Sequence, residues 1–206
     1  MNSADGVAPA TRVVLATKNE HKIDELRRIL TPALPTLELV GYDGPSPVES
    51  GLSFQENALI KARAAAAHTG LPAIADDSGI AVDILGGMPG IFSARWSGPD
   101  RSDEDNWQLL LWQLNDVPDF ARTAQFVASA AIVVPGRFAD SVLGKWHGSI
   151  LRSARGDGGF GYDPVFSPDG STRSAAEMLP EQKDAVSHRR RAFDALIPVL
   201  KSSLGL

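Results

Sequence analysis

The stretch "AIADDSGIAV", residues 73–82, sets two adjacent carboxylates, Asp76 and Asp77, between apolar runs and follows them with Ser78 and Gly79. Neighbouring side chains on an extended segment point to opposite faces, so one acid can be structural while the other faces a cleft. A cleft-facing carboxylate suits Mg2+, which takes oxygen ligands and usually keeps several waters. Glu49, in the "PVESG" loop, is a second candidate oxygen donor. An Asp-Ser-Gly turn capping a strand explains the same letters without a metal.

Three further stretches carry chemistry. "ATKNEHK" (16–22) joins an apolar run to a helical pattern, and Thr17 and Asn19 set short polar groups beside the free amides of a helix start, a natural anion site. Lys22 adds a positive charge one turn in, although an ordinary N-cap with Lys22 in solvent fits equally. "GDGGFG" (156–161) has the letters of a dinucleotide fingerprint, but that fingerprint needs a helix directly after it. Here Pro164 and Pro168 follow instead, so the glycines either let backbone approach a ligand beside Phe160 or Tyr162, or form a tight turn with core aromatics. Gly144-Lys145 is followed by Trp146 and has Ala139 where a phosphate loop needs its first glycine. His21, His68, His147 and His188 make no H-x-x-x-H pair, which speaks against zinc. His188 heads "SHRRRAF", where the arginines also fit a solvated helix face.

The elements that must position these residues are legible in the periodicity. "RVVLA" (12–16) reads as a buried strand, and "EHKIDELRRIL" as a helix with Ile23, Leu26, Ile29 and Leu30 on one side, ended by Pro32. "TLELV" (36–40) is a second strand. "SFQENALIKARAAAAHTG" is the clearest helix, with a Ser53/Glu56 capping box and a closing Gly70. "PAIA" is a third strand ending at the aspartates. "DEDNWQLLLWQL" is helical, "TAQFVASAAIVV" is a long strand paired with "RFADSVLGKWHG" across Pro135-Gly136, and "KDAVSHRRRAFDALIPVL" is one closing helix. Strands alternating with helices and then a hairpin predict a mixed α/β sheet.

A chain of 206 residues can bury a sizeable core. Its net charge of −5 argues against nucleic acid or an anionic membrane as the main partner, and against the "HRRR" cluster as a DNA-binding helix. The absence of cysteine excludes disulfides, thiolate metal sites and cysteine nucleophiles, and it fits a reducing cytoplasm. The opening residues lack a signal-peptide pattern, and no apolar run reaches the ~18 residues of a membrane span.

Together, "ATKNEHK", "SFQENALIKARAAA", "IADDSGIAVDILGGMPGIFSARWSG", "GDGGFGYDPVF" and "KDAVSHRRRAF" stand in the order found in one family. From about Arg12 to about Leu200 the chain resembles the noncanonical purine nucleoside triphosphate pyrophosphatases, the inosine/xanthosine triphosphate (dITP/XTP) pyrophosphatase group. The resemblance implies Mg2+-dependent hydrolysis of ITP, dITP and XTP to the monophosphate and pyrophosphate, cleansing the nucleotide pool. It also implies a cytoplasmic homodimer. The implied fold is α/β, a long mixed central sheet with helices forming two lobes around a cleft, a single domain over residues 12–206; residues 1–11 have no counterpart in the family and read as a flexible tail.

Position by position, the resemblance makes Thr17, Lys18, Asn19, Glu20, His21 and Lys22 the triphosphate loop. Asp77 becomes the catalytic acid and metal ligand, Glu49 a carboxylate near the metal, Ser78 a substrate contact and Lys61 a lysine near the phosphates. Phe160, Gly161, Tyr162 and Asp163 match the base-binding segment, with Phe160 the stacking ring, while Lys183, His188 and Arg189 match the remaining nucleotide contacts. With Lys22 and Lys61, Lys183 would neutralise the triphosphate; His188 and Arg189 would donate to the base oxygen. Lys18 departs from the small residue often found at its position. A nucleotide-binding module without catalysis is the main alternative, and the intact Asp77, Glu49 and Lys22 count against it. An enzyme of the septum-inhibitor type, acting on modified pyrimidine nucleotides, is opposed by His188-Arg189 and "GGFGYDP".

Overall fold

Along β1 (Thr11–Leu15), Val13 and Leu15 point to one side and Val14 to the other, and this two-residue period starts two cores on opposite faces of one sheet. The computed structural model describes residues 11–206, apart from the side chain of His21. The tail expected at residues 1–11 lies outside the described residues except for Thr11, which belongs to β1.

The other strands are β2 (Leu37–Gly41), β3 (Ala73–Val82), β4 (Thr123–Val134), β5 (Phe138–Ile150) and β6 (Phe166–Pro168). They form a six-stranded sheet in the order β2-β1-β3-β4-β5-β6. Pairing around β1 is parallel, and from β3 onward it is antiparallel. Helices α1 (Glu20–Ala33) and α2 (Phe54–Thr69) are the crossovers that parallel pairing requires. A mixed α/β sheet is therefore the fold, as the alternation of patterns predicts.

One face carries α1 and α5 (His188–Leu204), packed through Leu26, Leu30, Phe193, Leu196 and Leu200 onto Val13, Leu15, Ile74 and Ile132. Each fully buried side chain of this size stabilises the fold by about 1.5–3 kcal/mol. The opposite face carries α2, whose Ala58, Ala62, Ala65 and Ala66 bring its backbone close to Val14, Ala73, Ala75 and Ala131. A second cluster on the α5 side gathers Ile80, Val82, Phe126, Trp146 and Phe166 with Leu110 of α3 (Asp103–Gln113).

Between the two clusters on that face, β3 reads Ile74, Asp76, Ser78, Ile80: apolar at both ends and polar in the middle. The polar interruption opens the cleft. Gly144 of β5 lets α5 settle at its edge, because a Cβ there would meet the His188 carbonyl oxygen at 2.2 Å and the Ala192 nitrogen at 2.3 Å. The first turn of α5 is thereby pressed against the sheet.

Four local expectations are corrected. Pro32 lies inside the last turn of α1, where a missing N–H and a fixed φ are tolerated better than mid-helix, and the helix runs to Ala33. The Ser53 hydroxyl caps α2 by accepting from the Glu56 amide at 3.1 Å, but Glu56 reaches back to the Leu52 amide (2.7 Å), so the box is not reciprocal. The single closing helix is two, α4 (Pro180–Val186) and α5, broken at Ser187, whose hydroxyl accepts from the Arg190 amide. Finally, β3 does not stop at the aspartates but runs through them to Val82, paired with β4 residue by residue. That pairing removes the turn reading of Asp-Ser-Gly.

Candidate active site

Because β3 continues as a strand, its two aspartates face different helices. Asp76 shares the face of α1 and α5: its Oδ2 accepts from Lys22 Nζ at 2.9 Å and from Arg189 Nε at 3.2 Å. Arg189 also donates to Glu25 Oε2 (2.9 Å) and to Ser78 Oγ (2.8 Å). Asp76, Arg189 and Glu25 are each at most 3% exposed, so this is a buried ring of charge closed through α1, which carries both Lys22 and Glu25. Burial alone would raise the Asp76 pKa, but Lys22, Arg189 and Lys61 hold the carboxyl well below the usual carboxylate range. Burial likewise opposes charge on Arg189, and Glu25 and Asp76 overcome it, raising the guanidinium further. Asp76 Oδ1 has no hydrogen-bond partner among the described residues. The structural aspartate of the pair is thus the one that holds two cations.

Asp77 faces α2. Its Oδ1 accepts from Lys61 Nζ at 2.7 Å, and the same ammonium lies 3.5 Å from Glu49 Oε1. Burial pushes the Asp77 carboxyl up from its ordinary value, and Lys61 offsets this only in part. Lys61 is raised, because Asp77, Asp76 and Glu49 outweigh the burial that opposes its charge. Next along the strand, Gly79 leaves room for Ser93, whose Oγ accepts from the Ile80 amide at 2.9 Å; a Cβ on Gly79 would lie 2.3 Å from that oxygen.

A polar cavity opens over Asp77, walled by Thr17, Lys18, Asn19, Lys22, Glu49 and Lys61. Asn19 caps α1, its Oδ1 accepting from the Lys22 amide at 3.1 Å, while Thr17 Oγ1 accepts from the Asn19 amide at 3.2 Å. The amides of Lys18 and Glu20 have no acceptor among the described residues, so the helix start keeps N–H groups for an anion. Glu20 itself is exposed on the first turn of α1 and walls neither this cavity nor its neighbour. The side chain of His21 lies outside the described residues.

The adjoining cavity is more apolar and is walled by Phe126, Phe160, Gly161, Tyr162, His188 and Arg189, among others. Asp163 fixes the glycine loop by accepting from the Phe160 amide at 2.9 Å and pairing with buried Lys183. Lys183 Nζ and Arg189 Cζ stand 4.9 Å and 5.0 Å from the Phe160 ring centroid. Tyr162 is a core anchor whose hydroxyl donates to the Ser93 carbonyl at 2.8 Å, and burial, with Asp103 adding to it, keeps the phenol from ionising. His188 stacks on Phe126 with centroids 4.8 Å apart, and burial, aided by Arg189 and Lys183, lowers its pKa so that it is neutral at pH 7. Lys183 walls this cavity and not the polar one, and it pairs with Asp163 beside the Phe160 ring. No helix follows the glycine loop; a short turn at Asp163–Val165 leads straight into β6.

Asn19, Lys22, Ser78 and Ala94 wall both cavities, so one elongated ligand with an aromatic end and an anionic end can occupy the pair. Asp77 and Glu49 supply hard oxygen donors to the anionic end. Among the described residues no three His, Cys, Asp or Glu side chains cluster as a metal cage. Two carboxylates fit Mg2+ in its usual mode, in which substrate phosphates and water complete the coordination.

Sequence reasoning missed Glu25, Arg95, Arg101, Ser93 and Asp103. Glu25 had a signal, since it stands one turn beyond Lys22 beside the apolar stripe of α1. Asp103 accepts from the Gly161 amide at 2.7 Å, a tertiary contact with no local trace.

Residues 13–199 match the model of the Ham1 family. The chain is 56% identical over 191 residues to the dITP/XTP pyrophosphatase of Leifsonia xyli subsp. xyli, covering 93% of this chain and 96% of that one. Among solved structures it resembles the Staphylococcus aureus Ham1 protein, with TM-score 0.83 and 35% identity over 94% of this chain and all of that one. It also resembles a nucleoside-triphosphatase (dITP/XTP pyrophosphatase) from Mycobacterium abscessus, with TM-score 0.75 and 49% identity over 92% of this chain and 100% of that one.

Proposed function

The chain belongs to the Ham1 family, and on that premise we propose that it hydrolyses ITP, dITP and XTP to the monophosphate and pyrophosphate, keeping these nucleotides out of DNA and RNA. The observation that carries this reading is the pair of cavities sharing Ser78 and Lys22, one aromatic and one ringed by lysines around Asp77. The purine stacks at Phe160 and the triphosphate extends past Ser78 toward Asp77, Lys61 and the start of α1.

In the reaction a water oxygen bonds to phosphorus at the α–β linkage, the bridging P–O bond breaks, and pyrophosphate leaves. Asp77, lifted by burial toward a more basic carboxylate, orients that water and accepts its proton. Lys61 holds the carboxylate in place through its Oδ1. Mg2+ held by Asp77 and Glu49 would polarise the phosphate oxygens and offset their charge. Lys22 and the free amides of the helix start stabilise the anionic tail.

Base selection follows from donor placement. Hypoxanthine and xanthine present an acceptor oxygen at C6, where adenine presents an amine. Arg189 is held by Asp76, Glu25 and Ser78 and walls the base cavity, so N–H groups it has left would donate to the oxygen and oppose the amine. A buried mismatch of that kind can discriminate by several orders of magnitude.

Residues 12–206 act as one unit with two lobes meeting at the interrupted face of β3. A homodimer is supported by an apolar groove containing Leu52, Met88, Phe92 and Leu143, which are 86%, 44%, 41% and 41% exposed. Light scattering across a dilution series checks it, and a monomer at every concentration counts against it. No helix among the described residues is long and apolar enough to cross a membrane; a cytoplasmic site of action, where nucleotides are polymerised, is part of the proposal.

The decisive measurement is pyrophosphate release from ITP, dITP, XTP, ATP and GTP with and without Mg2+. Release from the inosine and xanthosine nucleotides that depends on Mg2+ is expected. Binding without release would instead make the chain a nucleotide-binding module.

A further inference from the structure

The polar cavity is short of free positive charge if only its lysines are counted. Its three lysines are matched one for one by Glu49, Asp76 and Asp77, and two of them, Lys22 and Lys61, are already ion-paired. Beyond the amides of the helix start and a metal at Asp77 and Glu49, these side chains bring a triphosphate no net positive charge. Two further cations line the same cavity, Arg95 and Arg101, and neither side chain makes an ion pair or hydrogen bond among the described residues. Both lie on the segment after β3, Arg95 ending the short helical turn Gly90–Arg95.

Their settings are built rather than incidental. Arg95 Cζ lies 5.3 Å from the centroid of the Phe92 ring, which steadies one face of the guanidinium and leaves its edge free. Arg101 has φ 53°, the only non-glycine residue in the left-handed region among those described. Such a conformation costs free energy and persists only where the surrounding structure holds it.

We propose that Arg95 and Arg101 form a subsite for the terminal two phosphates, the pyrophosphate portion of the substrate, and so make the protein prefer triphosphates to diphosphates. This rests on the reading of the cavity as the triphosphate site. Guanidinium forks match phosphate oxygens in pairs, which ammonium groups cannot do. The lysines and Asp77 then serve the linkage that breaks, and the arginines hold the leaving group.

The test uses calorimetric titration of the full chain with inorganic pyrophosphate and, separately, with inosine monophosphate. Replacing both residues, Arg95→Ala with Arg101→Ala, should weaken pyrophosphate at least ~10-fold and flatten its salt dependence. Inosine monophosphate should change by no more than about twofold and the thermal unfolding midpoint should stay put, because both side chains are exposed. The pair Arg95→Lys with Arg101→Lys should recover part of the loss. In turnover, the preference for inosine triphosphate over inosine diphosphate should shrink by a similar factor. Unchanged pyrophosphate affinity in the alanine pair overturns the subsite, as does an equal loss for the monophosphate. Should the wild type bind pyrophosphate through these arginines yet release none from inosine triphosphate, the hydrolytic reading fails while the subsite stands.

Discussion

The two faces of β3 carry the same residue type one position apart and use it for opposite ends. On the α1/α5 face, Asp76 is closed in by Lys22 and Arg189, and Arg189 by Glu25 and Ser78. On the α2 face, Asp77 meets a single lysine beside an open cavity that also holds Glu49. A carboxylate with its charge fully compensated and driven far down in pKa is architecture. A carboxylate lifted by burial at a cavity wall, with one lysine for a partner, is chemistry. Site residues are distinguished here less by their identity than by how many partners they already have.

That contrast is open to attack by substitution. Asp76→Asn leaves Lys22 and Arg189 buried without their shared counter-ion, and should cost about 3–5 kcal/mol of stability in urea unfolding. Asp77→Asn should do the reverse, lowering kcat by about 100-fold or more while nucleotide binding and most of the stability survive. A near wild-type kcat in that variant would remove Asp77 from the mechanism. Arg189→Ala, measured as the ratio of kcat/KM for ITP over ATP, should narrow selectivity by at least ~10-fold.

The next effect reads the same face through pH. Buried His188 is neutral in the fold and protonates far more readily once unfolded, so its contribution is complete above its ordinary pKa of 6.5 and lost as pH falls below it. His188→Phe, which can still stack on Phe126, should flatten the fall in urea midpoint between about pH 7.5 and 5.5. The smallest effect is expected on the outer side of α5. There Arg190 pairs with Asp194 with both side chains more than 40% exposed, and Arg190→Ala should change stability by no more than ~0.5 kcal/mol.

Much of this plan is legible in the amino-acid order. Helix α2 announces its own start and stop through Ser53 and Gly70, β4 follows from its long apolar run, and β5 from the turn at Pro135-Gly136 that returns the chain beside it. The glycine loop is separable from a dinucleotide fold because Pro164 follows it, and a short turn does lead into β6. Errors fall where local rules compete with packing. Asp-Ser-Gly has the letters of a turn, yet ten consecutive pairings with β4 hold it extended. Lys183 looks like one more phosphate cation, but Asp163, twenty residues earlier in the chain, holds it beside Phe160.

What the sequence determined alone was the alternating α/β plan, because it follows from periods of two and 3.6 residues that need no distant contact; that the two acids take opposite faces follows once pairing with β4 holds them extended. What only the tertiary structure decided was which acid stays available. That depended on α1 and α5 delivering Lys22 and Arg189 to one face while α2 delivered Lys61 to the other. Charge compensation is a property of neighbours in space, and Asp76 and Arg189 are more than a hundred residues apart along the chain.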